Sequence, residues 1–315
     1  MKKVETEQSR ESAVEFLEKN LNDDVDSDIL EIYAVLEEKC PEILMPENLD
    51  VSEEKIEEFT AKHYEIYSKQ ADSILSNPLP SSLILSSGMF GGKTTLSFFL
   101  LDGLVNQKKK VEVLIADVMG EDYVTARSYK GGRRYDATRF GFMTDYELTM
   151  ERLASNGTEV VVFDEFSFLD VQIVEELQEL CQKTGKKLIL TGLNSSYLGM
   201  PLPAFHEDSK ILQNSKEEKC YSFVCGFWED EPLGTSTIRY VKLNDRWILD
   251  VGLLPLVVSK EKVKIVKYAP GMEEHTAVHM LQNYQYLLNK VLDPSRERVF
   301  KQENLLARLE MENGY

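Results

Sequence analysis

One stretch of the chain has the residue types and spacing to hold phosphate. It reads Ser87-Gly88-Met89-Phe90-Gly91-Gly92-Lys93-Thr94-Thr95. An apolar run at 83–85 precedes it and a helical stretch begins at Lys93, which is the context a phosphate loop requires. Glycines let the backbone curl until its N–H groups point at phosphate oxygens. The helix N-terminus adds a favourable dipole. Lys93 would reach the β and γ phosphates, and Thr94 would set its hydroxyl on Mg²⁺. Gly88, Gly91, Gly92 and Thr95 complete the phosphate-binding set. The usual pattern opens on Gly, whereas here Ser87 holds that position with Gly88 beside it. The plainer alternative is a Gly-rich strand-to-helix turn without a ligand. The Lys-Thr pair and the preceding strand favour ATP with Mg²⁺.

A second cluster is Val160-Val161-Val162-Phe163-Asp164-Glu165, two carboxylates closing an apolar strand. In open α/β sheets the ligand lies at the carboxyl ends of the strands. Asp164 would hold Mg²⁺ there. Glu165 is left to polarise water or to take a proton from an acceptor hydroxyl. The alternative is that the acids cap the next helix. Between the two clusters lies Arg127-Ser128-Tyr129-Lys130-Gly131-Gly132-Arg133-Arg134. On its own the segment reads as a solvated basic loop.

The elements that position these clusters follow from periodicity. Short apolar runs at 83–85, 111–116, 160–163 and 188–190 alternate with helical stretches from 93 and over 171–181. That grammar predicts a P-loop, RecA-like α/β fold, with a mostly parallel sheet covered by helices on both faces. Residues 79–219 form its core. Residues 220–270 read as a small β-rich lobe, with strands over 237–243, 247–251 and 263–268. Residues 271–315 read as two C-terminal helices. Residues 1–78 read as three amphipathic helices, over 11–21, 28–40 and from about 50. The last carries Ile56, Phe59 and Ile66 at helical spacing. Asn77, Pro78 and Pro80 mark the boundary.

Composition narrows the setting. The 315 residues carry a net charge of −18, and residues 1–78 hold 21 acidic and 8 basic side chains. Such a balance disfavours nucleic acid and anionic membranes, because counterion release needs clustered Lys and Arg. No run is long and apolar enough to span a bilayer, and the N-terminus lacks the apolar region of a signal peptide. The four cysteines, Cys40, Cys181, Cys220 and Cys225, are too few for a disulfide framework. A cytoplasmic location is expected. The acidic N-terminal helices could dock a protein partner.

Together with a third segment, the two clusters resemble the thymidine kinase family of the cellular and bacterial type. Gly88-Met89-Phe90-Gly91-Gly92-Lys93-Thr94 is similar to that family's phosphate loop with its Met-Phe pair. Asp164-Glu165-Phe166-Ser167-Phe168 resembles its Asp-Glu-x-Gln-Phe motif. Gly192-Leu193-Asn194-Ser195-Ser196-Tyr197-Leu198-Gly199-Met200-Pro201 resembles its loop over the nucleoside. The resemblance spans roughly 82–260. It implies a deoxynucleoside kinase in which Lys93 and Glu165 are catalytic, Glu165 being the general base on the 5′-hydroxyl. Thr94 and Asp164 would serve Mg²⁺. Met89, Phe168, Leu193 and Tyr197 would shape the base pocket, with ordinary core packing as their alternative. It also implies a phosphate-facing arginine, Arg127, Arg133 or Arg134, that would neutralise charge on the transferring phosphoryl group, and a homo-oligomer, a tetramer in the family.

The departures are specific. The family's Gln after Asp-Glu is Ser167. Its Cys-x-x-Cys zinc site reads Cys225-Gly226-Phe227-Trp228, and no Cys follows. Without four soft ligands no zinc of that kind is expected, the weaker alternative being Cys220 with Cys225, helped by His206. The aromatic that closes the family's base pocket has no counterpart in residues 251–256. Two other classes stay open at this stage: a P-loop ATPase acting on nucleic acid, and a kinase-like regulatory protein without turnover.

Overall fold

The structure, a computed structural model, describes residues 12–21, 30, 33–34, 37, 53–89, 91–125, 134–196, 201–223, 233–234, 236–243, 246–250 and 266–271. The chain divides into two compact units. One comprises residues 50–237 with 270–273, and the other comprises 1–49, 238–269 and 274–315.

The first unit holds the α/β fold. Its strands are β1 (Ser82–Ser87), β2 (Val111–Ala116), β3 (Tyr123–Thr125), β4 (Arg134–Asp136), β5 (Thr138–Phe140), β6 (Val160–Asp164), β7 (Lys187–Leu193) and β8 (Lys216–Lys219). Six of them form one sheet in the order β5-β2-β6-β7-β1-β8, and every pairing in it is parallel. β3 and β4 form a separate antiparallel pair.

Alternation along the strands sorts the core into two layers. Leu83, Leu85, Val113, Ile115, Val160, Val162 and Ile189 face one layer. Ile84, Leu114, Ala116, Val161, Phe163, Leu188 and Leu190 face the other. Because successive strand residues point to opposite faces, apolar residues at every position mean a sheet covered on both sides. Helices α2 (Glu53–Leu75) and α3 (Lys93–Asn106) cover the first face. Helices α4 (Tyr146–Ser155), α5 (Val171–Thr184) and the short α6 (Lys210–Gln213) cover the second. These complete a series that opens with α1 (Ala13–Leu21). None of the described helices is long and apolar enough to cross a membrane.

Two expectations change. The unit that carries the sheet begins at residue 50, not after Pro78, because α2 packs on α3 with Tyr67 and Ala71 buried and Tyr64, Ile74 and Leu75 against them. The buried stripe of α2 also differs from the expected one: Ile66 is 45% exposed. The side chains of Ile56 and Phe59 lie outside the described residues.

In the second unit, β11 (Ser236–Leu243), which begins in the first, pairs antiparallel with β12 (Arg246–Leu249), and β13 (Val266–Gly271) joins its other edge. A shorter pair, β9 (Ser222–Phe223) with β10 (Leu233–Gly234), precedes it in the first unit. Arg239, 2% exposed, donates from Nε to Asp250 Oδ2 at 2.8 Å. Tyr33 donates to the Leu249 carbonyl at 2.7 Å. Most of the helix expected over 28–40, and the two C-terminal helices, lie outside the described residues.

Candidate active site at the carboxyl ends of the strands

The phosphate loop is built by β1 running into α3. Gly92, the residue before α3, has φ 74°, a left-handed value that glycine adopts without steric cost. A Cβ at Gly91 would stand 2.0 Å from Ser87 Oγ, so this position also excludes a side chain. The loop is tied from several sides. Met89 donates its N–H to Thr237 Oγ1 at 2.7 Å. Cys220 donates its N–H to the Ser86 carbonyl at 2.8 Å, and Asn194 to that of Ser87 at 3.2 Å. Lys93 is buried, and its Nζ donates to the Gly88 carbonyl at 2.9 Å and to Ser87 Oγ at 3.3 Å. Thr94 is half-buried and Thr95 buried.

Register brings the acids to the same edge. Asp164 sits opposite Ile115 on one side and Thr191 on the other, and Thr191 sits opposite Leu85. Alternation puts Asp164 on the face of Val160 and Val162, which is the face that α3 covers. The Thr191 hydroxyl donates to Asp164 Oδ1. Burial raises the Asp164 carboxyl above its ordinary range, while the Thr191 hydroxyl and the Lys93 charge oppose that rise.

Glu165 follows at φ 55°. A left-handed backbone at a non-glycine residue is uncommon and costs of order 1–3 kcal/mol, and such strain clusters at functional sites. Its Oε2 is buried and has no hydrogen-bond partner among the described residues. Burial first, and the Asp164 charge second, push the Glu165 carboxyl up to about 7, with Lys93 pulling the other way. A carboxyl so placed can hold or release a proton near neutrality.

The capping alternative does not hold. The N-cap of α5 is Asp170, whose carboxylate accepts from the Gln172 N–H at 2.7 Å. Glu165 opens only a one-turn helix over Phe166–Phe168 and makes no side-chain cap.

The remaining expected residues divide. Met89, Phe168 and Leu193 are half-buried at the strand ends. Tyr197, Arg127 and Arg133 lie outside the described residues. Arg134 lies over the Tyr123 ring at 4.7 Å and 3.9 Å from Asp136, with its side chain 61% exposed. That placement fits the solvated alternative. The lobe residues Cys225 and Trp228 also lie outside the described set.

Four residues escaped the sequence reading. Thr191 supports Asp164. Thr237 anchors the loop at Met89. Ser167, in the place of the family's Gln, accepts the Leu193 N–H at 3.0 Å and so joins the turn after β6 to the end of β7. Tyr67 packs under the loop. Only Ser167 had a signal, as a departure from the motif.

The chain is similar to known proteins over the region that carries this site. The model of the thymidine kinase family matches residues 81–239. The thymidine kinase of Thermococcus kodakarensis is 30% identical over 151 residues, covering 45% of this chain and 73% of that protein. The thymidine kinase of Halobacterium salinarum is 25% identical over 154 residues, covering 45% and 72%. Among solved structures, the large terminase of a thermophilic bacteriophage aligns with TM-score 0.32 at 12% identity, over 49% of this chain and 45% of its own. A solved ATPase domain aligns with TM-score 0.32 at 11% identity, over 53% and 84%. The two structural alignments are too weak to carry weight. The family match spans the phosphate loop, the acid pair and the sheet that joins them, and on it the chain belongs to the thymidine kinase family of phosphotransferases.

Proposed function

We propose that the chain is an ATP-dependent deoxynucleoside kinase that moves the γ-phosphoryl group of ATP to a nucleoside 5′-hydroxyl. Thymidine is the acceptor suggested by the names of its relatives. The observation that carries the reading is Glu165: a half-buried residue beside Asp164 and Lys93 whose Oε2 is buried and unpartnered among the described residues.

In this mechanism Lys93 and the backbone N–H groups of Gly91 and Gly92 bind the phosphates. The Glu165 carboxylate accepts the proton of the 5′-hydroxyl as that oxygen bonds to the γ-phosphorus. The bond from the γ-phosphorus to the bridging oxygen breaks, and ADP leaves with the electron pair. Catalysis comes chiefly from positioning and charge stabilisation. A buried and a half-buried acid beside Lys93 suit a divalent cation. Thr94 and Asp164 would hold Mg²⁺, which when bound neutralises charge on the phosphate oxygens. Met89, Phe168 and Leu193 would line the nucleoside side. A homo-oligomer belongs to the same proposal and rests on the family alone.

A panel of nucleosides incubated with the protein and γ-labelled ATP tests the reading. Label should appear in one or more nucleoside 5′-monophosphates and require Mg²⁺. Hydrolysis of ATP without transfer to any nucleoside would overturn it.

A further inference from the structure

Helix α2 precedes the segment that the family model covers, since it ends at Leu75 and the match starts at residue 81. Its Tyr67 nevertheless meets the phosphate loop at its two tightest points. The side chain is 2% exposed. Its hydroxyl lies 2.6 Å from the Gly91 carbonyl oxygen. It lies 2.7 Å from the Tyr221 carbonyl oxygen and accepts the Tyr221 N–H at 2.9 Å. The ring sits against Gly92, where a Cβ would stand 2.2 Å from Tyr67 Cε2. His63, one turn earlier, stacks on the ring at 5.7 Å between centroids.

The consequence for the loop follows from peptide geometry. In a trans peptide the C=O and the next N–H point in opposite directions. A Gly91 carbonyl held toward Tyr67 therefore directs the Gly92 N–H away from Tyr67. On the phosphate-loop reading, that is the phosphate side. Two successive glycines impose little rotational preference of their own, so this peptide needs an outside anchor. The phenol has one proton and two carbonyls to serve, while the Tyr221 N–H fixes its oxygen. Burial also keeps the phenol protonated across the working pH range.

We propose that Tyr67 is a positioning residue of the phosphate loop: it orients the Gly91–Gly92 peptide for ATP, and so makes α2 a working part of the nucleotide site. The inference rests on the kinase reading and adds to it a residue from outside the family segment.

The test is Tyr67→Phe in the full-length protein, which keeps the ring against Gly92 and removes only the hydroxyl. Steady-state kinetics should show the KM for ATP rising about threefold to tenfold, the scale of one lost hydrogen bond. The kcat and the KM for nucleoside should change by less than about twofold, within the scatter that such substitutions leave. A merely structural role gives a different pattern: fewer active molecules, hence lower kcat, with both KM values unchanged. That pattern, or wild-type kinetics throughout, overturns the proposal. Failure of the wild-type protein to bind ATP would sink the kinase reading and this proposal together. Normal ATP binding by Tyr67→Phe alongside its loss in Lys93→Ala would sink this proposal alone.

Discussion

The hydroxyl of Thr191 donates to the Asp164 carboxylate across the β6–β7 pairing, in which the two residues are direct register partners. Both are buried. Thr191→Val keeps the shape and removes the donor, leaving a buried carboxylate one partner short. The expected cost is about 1–3 kcal/mol in urea unfolding, together with a higher Mg²⁺ concentration for half-maximal activity. Unchanged stability and Mg²⁺ dependence would mean that Asp164 does not rely on this bond.

Gly92 can be compared with Gly185, the C-cap of α5. Both have positive φ, 74° and 70°, but a Cβ at Gly185 meets nothing within 4 Å. Gly185→Ala should therefore show the left-handed backbone cost alone, about 1–2 kcal/mol. Gly92→Ala adds a clash with the Tyr67 ring and should cost clearly more, read as a larger drop in Tm. Equal drops would place the Tyr67 ring away from Gly92.

Truncation tests whether α2 belongs to the unit that carries the sheet. Removing residues 1–78 strips Tyr64, Tyr67, Ala71, Ile74 and Leu75 from the α3 layer. Each large apolar side chain lost from such a layer forfeits about 1.5–3 kcal/mol. The shortened protein should aggregate or fail to bind ATP, as sedimentation and ATP titration would show. A soluble, ATP-binding fragment from residue 79 would restore the boundary at the prolines.

The acid pair sets a pH signature. The Glu165 carboxyl titrates near 7 in the folded protein against an ordinary 4.5. As the general base it must be ionised, so kcat/KM for nucleoside should rise with pH through about 7. Stability has the opposite sign. Between the two values the native state holds a proton that the unfolded state has released, so this group lowers the unfolding free energy as pH rises through that window. Glu165→Gln should remove the kinetic limb and this group's share of the stability slope, leaving the share of Asp164, which burial also raises. Retention of the kinetic limb in that variant would assign it to another group.

The legibility of the chain follows burial. β1, β2, β6 and β7 were readable as apolar runs because both faces of each strand are covered. β8, Lys-Glu-Glu-Lys at the sheet edge, has no such run, and β5 spans three residues with Arg139 in the middle. The loop and the acids were readable because their chemistry demands particular residues at fixed spacing. Thr191 was hidden inside an apolar strand, where a threonine is ordinary. Tyr67 was missed for a related reason: helical periodicity shows which face of α2 is apolar, but not that a phenol on it ends at a carbonyl 24 positions along the chain. The stripe itself was misjudged at Ile66, because the aromatic residues Tyr64 and Tyr67 supply the buried face instead.

The most direct measurement is the single-turnover rate of nucleoside phosphorylation by Glu165→Gln beside wild type and Asp164→Asn. The amide preserves the shape of Glu165 and removes its basicity. The rate should fall about 10²-fold or more, the scale of a lost general base, while the Kd for Mg-ATP stays near that of wild type. Asp164→Asn should instead weaken the Mg²⁺ dependence. Full phosphorylation by Glu165→Gln would contradict the assignment of Glu165 as the base and, with it, the mechanism built on the acid pair.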